Sequence, residues 1–470
     1  MSLQDRLAHR FQRQIVESSA LFLNILRWTF LAAIVGVIVG ASTGVFILIL
    51  HRAMQFMERF PYFFLAIPLG LWFSSWFIKL LAPQAAGHGT EKVIEAVHNR
   101  SGRMNPWGAP VKLIATVITI ASGGSAGKEG PAAQIGATLA SLFADLTRLS
   151  DRDRRKLVIC GISAGFAAVF STPIAGSLFG VEVLFLGQIL YDVLLPSFIA
   201  GITAVQVSKW MGVGYFWQQL TWTPEFSQML FLQVIVSGAV FGLVSIAFIE
   251  ALRWGHLAFK AFDKHPHFKP FYGGIILISL GLLLGTGGLG LGVETLRQVL
   301  EGGDCPWWLW LFKSTATGVT LGCGGSGGVI TPIFLVGASA GSAWGSILGL
   351  DPAIFAALGM IAVLAGTTNA PIAAAVMGLE LFGPNFGLYG AIVCVVSFLM
   401  TGYRGVYSSQ ILARQKSEIL HAPLNQPIPS EGDAVLEFST RKRIAVWRHF
   451  FKDLRRKIRR ITSKITGSQE

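Results

Sequence analysis

A lysine and a glutamate stand side by side in the segment GGSAGKEGP, residues 123–131. The apolar run VKLIATVITIAS precedes this segment, and the uncharged run AAQIGATLASLFA follows it. A carboxylate can take up a proton or compete with an anion, and an ammonium group can attract an anion. Because ionisable residues are costly in such apolar surroundings, Lys128 and Glu129 are candidates for a functional site.

The elements that must hold these two residues have the composition of membrane spans. Of the 470 residues, 52% are hydrophobic and only 13% are charged, whereas soluble domains carry about 25% charged residues. The segment 28–50 has no formal charge and is long enough to cross a bilayer as a helix. Comparable runs occur at 63–81, 228–249, 271–293, 307–350 and 352–403. These runs predict an all-α polytopic membrane protein and not a β-barrel, which needs many alternating segments of about ten residues.

Charge is concentrated at the two ends of the chain. Residues 1–27 are polar and amphipathic, which predicts a cytoplasmic helix against the membrane. The formal net charge is +13, and much of it comes from the basic tail at 441–464 within the C-terminal segment 404–470. Basic flanking segments stay in the cytoplasm, so both termini are expected on the cytoplasmic side of the inner membrane. Attraction to anionic lipid accounts for the tail, and we do not expect nucleic acid as a partner.

The chain contains an internal repeat. GGSAGKEGPAAQIGATLAS (123–141) matches GGSGGVITPIFLVGASAGS (324–342), which lies 201 positions later. STPIAGSLFGVEVL (171–184) matches NAPIAAAVMGLELF (369–382), which lies 198 positions later. The membrane domain, 28–403, therefore divides into homologous halves at about 28–210 and 228–403.

Duplicated halves with glycine- and proline-broken apolar segments are typical of membrane transport proteins. Broken helices place their N-termini near the middle of the membrane, where free N–H groups and the helix dipole favour an anion. We therefore expect an anion site between two facing helix starts. A phosphate-binding loop is excluded, since only three residues separate Gly123 from Gly127 and Glu129 follows the lysine. The four cysteines lack metal-ligand spacing, and no cofactor or metal is expected.

The repeated motifs resemble those of the CLC chloride channels and proton–chloride exchangers over about residues 80–410. GKEGP (127–131) is similar to the family motif G-[K/R]-E-G-P, and GVITP (328–332) is similar to G-x-F-x-P. The segments 83–98 and 163–184 and the tyrosine of GVYSSQILAR fall in the family's order as well. The remaining length after that tyrosine is too short for paired CBS domains, so the resemblance is to the prokaryotic type.

This resemblance implies a homodimer with one anion pathway per subunit and with two inverted repeats whose broken, re-entrant helices meet at a central anion site. Glu129 corresponds to the gating glutamate, whose carboxylate occupies an anion site and swings away or takes up a proton to admit chloride. The residues that the resemblance places around the anion are His88, Gly89, Lys128, Glu129, Gly130, Val329, Ile330 and Tyr407.

Around the central anion the sequence departs from the family. His88 replaces the serine of G-S-G-I-P, Thr90 and Glu91 replace its isoleucine and proline, and Ile330 replaces phenylalanine. The imidazole of His88 either donates to the anion in a pH-dependent way or bonds a loop carbonyl while backbone amides bind the ion.

A further departure concerns protons. Family exchangers carry an inner glutamate that exchanges protons with the gate, and Val183 stands at that position. The neighbouring Glu182 recurs as Glu380 in the second half, which favours a structural hydrogen-bonding role for both.

Because valine cannot carry a proton, we expect chloride transport of a channel-like, uncoupled kind. Proton–chloride exchange through another internal route, and a fluoride- or nitrate-selective relative, stay open as alternatives. Pro131 disfavours the fluoride branch. An enzyme or a scaffold is disfavoured because no paired carboxylates, metal spacing or nucleophile–base arrangement is present.

Overall fold

The computed structural model describes residues 3–214, 227–264, 266–417, 420–428 and 437–438, which are largely α-helical. The α-helices are α1 (Leu3–Met57), α2 (Ile67–Leu81), α3 (Gly89–Asn99), α4 (Gly108–Ala121), α5 (Glu129–Leu146), α6 (Asp151–Phe170), α7 (Pro173–Glu182), α8 (Tyr191–Trp210), α9 (Gln228–Lys260), α10 (Lys269–Leu284), α11 (Val293–Leu300), α12 (Leu309–Gly322), α13 (Ile330–Leu348), α14 (Pro352–Thr368), α15 (Pro371–Phe382) and α16 (Gly387–Thr401). Short 3-10 helices lie at Phe63–Ala66, Pro83–Ala85 and Pro384–Phe386. The strands are β1 (Phe185–Leu186), β2 (Ile411–Leu412), β3 (Leu420–His421) and β4 (Glu437–Phe438).

Six segments of the described chain are long and apolar enough to cross a membrane. They are Gln14–Met57, Phe63–Leu81, Tyr191–Trp210, Gln228–Lys260, Ile330–Leu348 and Pro384–Thr401. The sequence analysis did not propose Tyr191–Trp210, which carries Asp192 near its start and Lys209 near its end. The apolar runs 307–350 and 352–403 are interrupted by helix ends, so each holds more than one helix. The protein is therefore a multi-pass membrane protein built partly from short helices.

The predicted N-terminal segment and the predicted basic tail have different outcomes in the structure. Helix α1 continues without a break from Leu3 to Met57. The boundary predicted at residue 28 is therefore a change of polarity along one helix and not a change of secondary structure. The basic tail at 441–464 lies outside the described residues.

The two halves have the same local structure and exchange hydrogen bonds across their contact. The amide of Ser125 donates to Thr320 Oγ1 over 3.0 Å, and the amide of Ser326 donates to Thr119 Oγ1 over 3.1 Å. Each bond is the counterpart of the other, 201 positions apart. Such paired bonds are expected when a two-fold axis relates the two halves. They fit the inverted-repeat fold predicted from the sequence.

Paired glycines let the central helices approach closely. A Cβ added to Gly136 on α5 would lie 2.6 Å from the carbonyl oxygen of Gly161 on α6. The equivalent contact in the second half, from Gly337 on α13 to the carbonyl oxygen of Gly359 on α14, would be 2.4 Å. Such distances exclude any side chain, so glycine is required at both contacts. Helices α5, α6, α13 and α14 are almost wholly buried and form the centre of the molecule.

A short strand pair joins the end of the membrane domain to its first half. Strand β1 follows α7 after Val183 and Leu184 and pairs in parallel with β2. This pairing places the segment that contains Tyr407 next to the end of α7.

Candidate functional site

Three helices begin close together at the contact between the halves: α3, α5 and α13. The amide of Gly127 donates to the carbonyl of Gly328 over 2.7 Å, and the amide of Gly328 donates to the carbonyl of Gly127 over 2.6 Å. His88, which precedes α3, forms a further backbone bridge with Gly327. The loops before the three helices are thus tied together by their own backbones.

Glycines allow these helix starts to meet. A Cβ on Gly89 would lie only 2.2 Å from the carbonyl oxygen of Gly130. A Cβ on Gly130 would lie 3.1 Å from the Cα of Gly328. The structure therefore brings the predicted residues Gly89 and Gly130 into direct contact, with the first turns of α3 and α5 side by side.

The carboxylate of Glu129 crosses from the first half to the second. The side chain has no exposed surface, and its Oε2 accepts a hydrogen bond of 3.1 Å from the amide of Thr331. The hydroxyl of Thr331 donates to its Oε1. A carboxylate thus occupies the N-terminus of α13, where the helix dipole and free N–H groups attract negative charge. The sequence analysis missed Thr331, whose only signal was its place inside the repeated motif GVITP.

The remaining predicted residues at the two helix starts lie where the helix leaves donors unpaired. Val329 immediately precedes α13 and Ile330 is its first residue; both are buried. Amides in the first turn of a helix have no acceptor within that helix, so they can serve an anion. Lys128 immediately precedes α5 and is half-buried, within electrostatic range of Glu129.

His88 and Tyr407 face each other beside these helix starts. Their ring centres are 6.2 Å apart. His88 Nδ1 and Tyr407 Oη are both buried without a hydrogen-bond partner in the part of the chain that the structure describes. Thr90 is close to the tyrosine hydroxyl but not in hydrogen-bonding geometry. Two buried polar atoms are therefore available to a ligand that occupies the space between the helix starts.

Two buried lysines, which the sequence analysis did not single out, hold the loops around the site. Lys112 on α4 donates to the carbonyls of Ala85 and Gly87, directly before His88. Lys313 on α12 occupies the equivalent position in the second half and donates to the carbonyls of Gly288 and Gly290, over 3.2 and 2.8 Å. Both lysines are fully buried. Their spacing of 201 residues, equal to that of the repeat, was the signal that could have identified them.

The glutamates Glu182 and Glu380 hold the two halves together. Glu182 on α7 accepts hydrogen bonds from the amides of Ile372 and Ala373 at the start of α15, over 3.1 and 2.7 Å. Glu380 on α15 accepts from the amides of Ile174 and Ala175 at the start of α7, over 3.0 and 2.7 Å.

The structural role predicted for Glu182 is therefore confirmed, and Glu380 fills the same role in reverse. The adjacent Val183 is fully buried, and its carbonyl accepts a 2.8 Å hydrogen bond from Gln410 Nε2.

Known proteins share the sequence features and the fold of this chain. The sequence model described as voltage gated chloride channel matches residues 70–402. A chloride/fluoride channel protein of Pseudomonas syringae pv. tomato is 34% identical over 414 residues, which cover 87% of this chain and 90% of that protein.

Solved structures with this fold include relatives that move different anions. The crystal structure of a CLC-type fluoride/proton antiporter has a TM-score of 0.79 at 29% identity and covers 83% of this chain and 98% of its own. A slow cyanobacterial Cl⁻/H⁺ antiporter has a TM-score of 0.71 at 20% identity, with 80% and 94% covered, and it shows the fold alone. The chain belongs to the CLC family of voltage-gated chloride channels and anion transporters.

Proposed function

We propose that the protein transports chloride along a pathway between the starts of α3, α5 and α13, and that Glu129 is its gate. The observation that carries this proposal is the buried Glu129 carboxylate at the N-terminus of α13. A carboxylate in that place competes with an anion for the same donors. Movement of the side chain, or its protonation, frees the donors for chloride.

The remaining residues of the pathway have distinct parts in this proposal. The amides of Val329 and Ile330 serve the anion, and Gly89 and Gly130 let the backbones approach it. His88 and Tyr407, whose Nδ1 and Oη are buried without a partner among the described residues, serve as its side-chain ligands. Lys128 contributes positive potential at the entry.

Val183 favours uncoupled transport. In exchangers of the family the residue at this position carries protons, whereas a fully buried valine has no group that can bind one. Unless another acid serves the inner side, Glu129 exchanges no protons with that solution and chloride moves passively.

A second candidate function is proton-coupled exchange, with fluoride as well as chloride as the substrate. The observation in its favour is that the 34% identical relative is a chloride/fluoride channel protein and the 29% identical structure is a fluoride/proton antiporter. His88 also alters the donor set that a halide meets. This candidate requires an acid at the inner side other than residue 183.

We propose further that the protein is a homodimer in the inner membrane with both termini in the cytoplasm. Family membership supports the dimer, and the basic tail supports the orientation. Chemical cross-linking of the purified protein should yield a dimer of the 50.7 kDa chain, and a monomer at every cross-linker concentration would contradict the proposal.

Flux from liposomes that contain the purified protein tests the function. Chloride and pH are followed together under a chloride gradient, with and without a potassium ionophore, and the assay is repeated with fluoride. Chloride release that depends on the ionophore, without uphill proton movement, supports uncoupled transport. Uphill proton movement in fixed ratio to either halide supports the second candidate. If neither chloride nor fluoride moves, both candidate functions are contradicted.

A further inference from the structure

Val183 stands where the family exchangers carry an acid on the inner side of the pathway. The acids near this position, Glu182 and Glu380, already accept hydrogen bonds from backbone amides. Both carboxylate oxygens of Glu182 bind backbone amides, and so do both oxygens of Glu380. Using either carboxylate to carry protons would release a helix start. A proton carrier must therefore be sought elsewhere.

Glu91, in the first turn of α3, has one carboxylate oxygen that accepts hydrogen bonds and one without a hydrogen-bond donor among the described residues. Its Oε1 accepts three hydrogen bonds: from Ser408 Oγ over 2.7 Å, from the amide of Ser409 over 2.9 Å and from Ser409 Oγ over 2.7 Å. Its Oε2 is buried and has no hydrogen-bond donor in the part of the chain that the structure describes. The three bonds fix the position of the carboxylate and leave one oxygen able to bind a proton.

A cavity lies against the two serines that bind Glu91. It measures about 220 Å³, is partly open, and is lined by Ser408, Ser409 and His98 among others. His98 Nε2 lies 3.0 Å from the carbonyl oxygen of Leu184, the residue after Val183. The two serines that bind Glu91 thus also face a space large enough for several water molecules, beside the position where the family acid would stand.

Tyr407 is the group that links Glu91 electrostatically to Glu129. Tyr407 lies within electrostatic range of both glutamates, and its buried hydroxyl has no partner among the described residues. The charged and titratable groups around this route are His88 before α3, Lys92 on α3, Lys112 on α4 and His256 on α9. Glu91 is thus an acid that binds the cavity-lining serines and also lies within electrostatic range of Tyr407.

We infer that Glu91 carries protons between the cavity and Glu129, in place of the acid missing at Val183. A proton from water in the cavity binds the open oxygen of Glu91. It then passes through the pathway beside Tyr407 to the Glu129 carboxylate, which becomes neutral as Glu91 returns to its charged form. This inference rests on the proposed halide transport and specifies its second candidate, proton-coupled exchange.

Parallel measurement of halide and proton flux in liposomes tests the inference, with the wild-type chain and Glu91→Gln compared at equal protein density. We expect wild-type protein to drive protons uphill, and we expect Glu91→Gln to lower the ratio of proton to halide flux at least about tenfold. Glu91→Asp keeps an acid and should restore most of that ratio. Glu95→Gln is the matched control, since Glu95 lies on the same helix and pairs with Lys92 and Arg100; its ratio should equal the wild-type value.

The outcomes separate this inference from the proposed function. Halide flux in the wild type without proton movement would overturn the role of Glu91 and leave uncoupled transport standing. An unaltered ratio in Glu91→Gln would overturn it as well. Absence of halide flux in the wild type would instead overturn the proposed function, and the inference with it. If Glu91→Gln does not fold, Ser409→Ala takes its place, because it removes one donor that fixes the Glu91 carboxylate. We expect it to lower the same ratio, and a ratio equal to the wild-type value would overturn the inference.

Discussion

The two halves of the molecule have matching backbones but different chemistry at their central helix starts. The first half presents Lys128 and Glu129 where α5 begins, and the second presents Val329 and Ile330, 201 positions later, where α13 begins. At this position only the first half carries a carboxylate, and it binds the helix start of the other half. The proposed gate therefore lies at a position where the two halves differ.

Two other sets of polar residues recur in both halves, and they support the fold. Glu182 and Glu380 bind each other's helix starts, and Lys112 and Lys313 bind the loops before α3 and α11. The comparison teaches a rule for this chain: a polar residue repeated in both halves holds the backbone, and one without a counterpart is a candidate for transport.

The largest expected effect comes from breaking a symmetric pair. Glu182→Ala leaves two amides at the start of α15, one buried and one part-buried, without an acceptor, which should cost about 2–4 kcal/mol in free energy of unfolding. Glu380→Ala should cost less, because Glu380 is partly exposed whereas Glu182 is only 6% exposed, so water can replace the lost acceptor. Denaturation of the purified protein in detergent measures both changes.

Glu182→Gln sharpens this test. Glutamine keeps one carbonyl oxygen and can accept one of the two amide bonds, so its loss of stability should fall between those of wild type and Glu182→Ala. Equal stability of Glu182→Ala and wild type would show that the amide bonds contribute nothing, and the rule for paired groups would fail at its clearest case.

The next effect concerns the unpaired carboxylate. Protonation removes the charge with which Glu129 competes for the anion site, so wild-type halide flux should rise as the pH falls. Glu129→Gln has no such charge at any pH. We expect its flux to vary less than about twofold from about pH 7.5 to about pH 4.5, against a change on the order of tenfold for the wild type. Liposome flux at a series of pH values provides the measurement.

Glu380→Gln serves as the control, since it also removes one carboxylate charge, but from a residue that has a counterpart, Glu182, in the other half. Its pH profile should follow that of the wild type. A full wild-type pH dependence in Glu129→Gln would mean that Glu129 is not the gate.

The same distinction explains how far the sequence could predict the structure. Repeated glycines, prolines and apolar runs follow from local rules, so the membrane class, the two halves and the helix starts at Glu129 and Ile330 were predictable. Glu129 stood out because an ionisable residue is costly in an apolar segment and therefore indicates a function.

Contacts between distant parts of the chain were not predictable in this way. Glu91 binds Ser408 and Ser409 more than 300 positions away, and Glu129 binds Thr331 across the two halves. Neither residue type nor spacing encodes such contacts, because they depend on how the halves pack. The lysines Lys112 and Lys313 were missed although each is an isolated cation in an apolar run. Their spacing of 201 residues, equal to that of the repeat, would have identified them as a pair.

His88 offers a smaller effect on the unpaired side of the comparison. Its Nδ1 is buried without a partner in the described chain and lies near Tyr407. His88→Ser should change the ratio of chloride to fluoride flux about two- to tenfold, the size expected for one exchanged hydrogen bond. The control His51→Ser alters an exposed histidine on α1 and should leave the ratio unchanged. Unchanged selectivity in a folded His88→Ser would instead support the loop-bonding role of His88.

The smallest effect is expected from Tyr407→Phe, which removes one hydroxyl and keeps the buried ring. If Tyr407 Oη donates to the anion, chloride affinity measured by titration calorimetry should fall about two- to fivefold, since a single neutral hydrogen bond contributes roughly 0.5–1.5 kcal/mol. Tyr389→Phe is the matched control, because Tyr389 on α16 is equally buried, at 1% exposed, and lies outside the pathway. An unchanged affinity in Tyr407→Phe would mean that the ring only packs. The anion would then be held by the helix starts and His88, without the tyrosine hydroxyl.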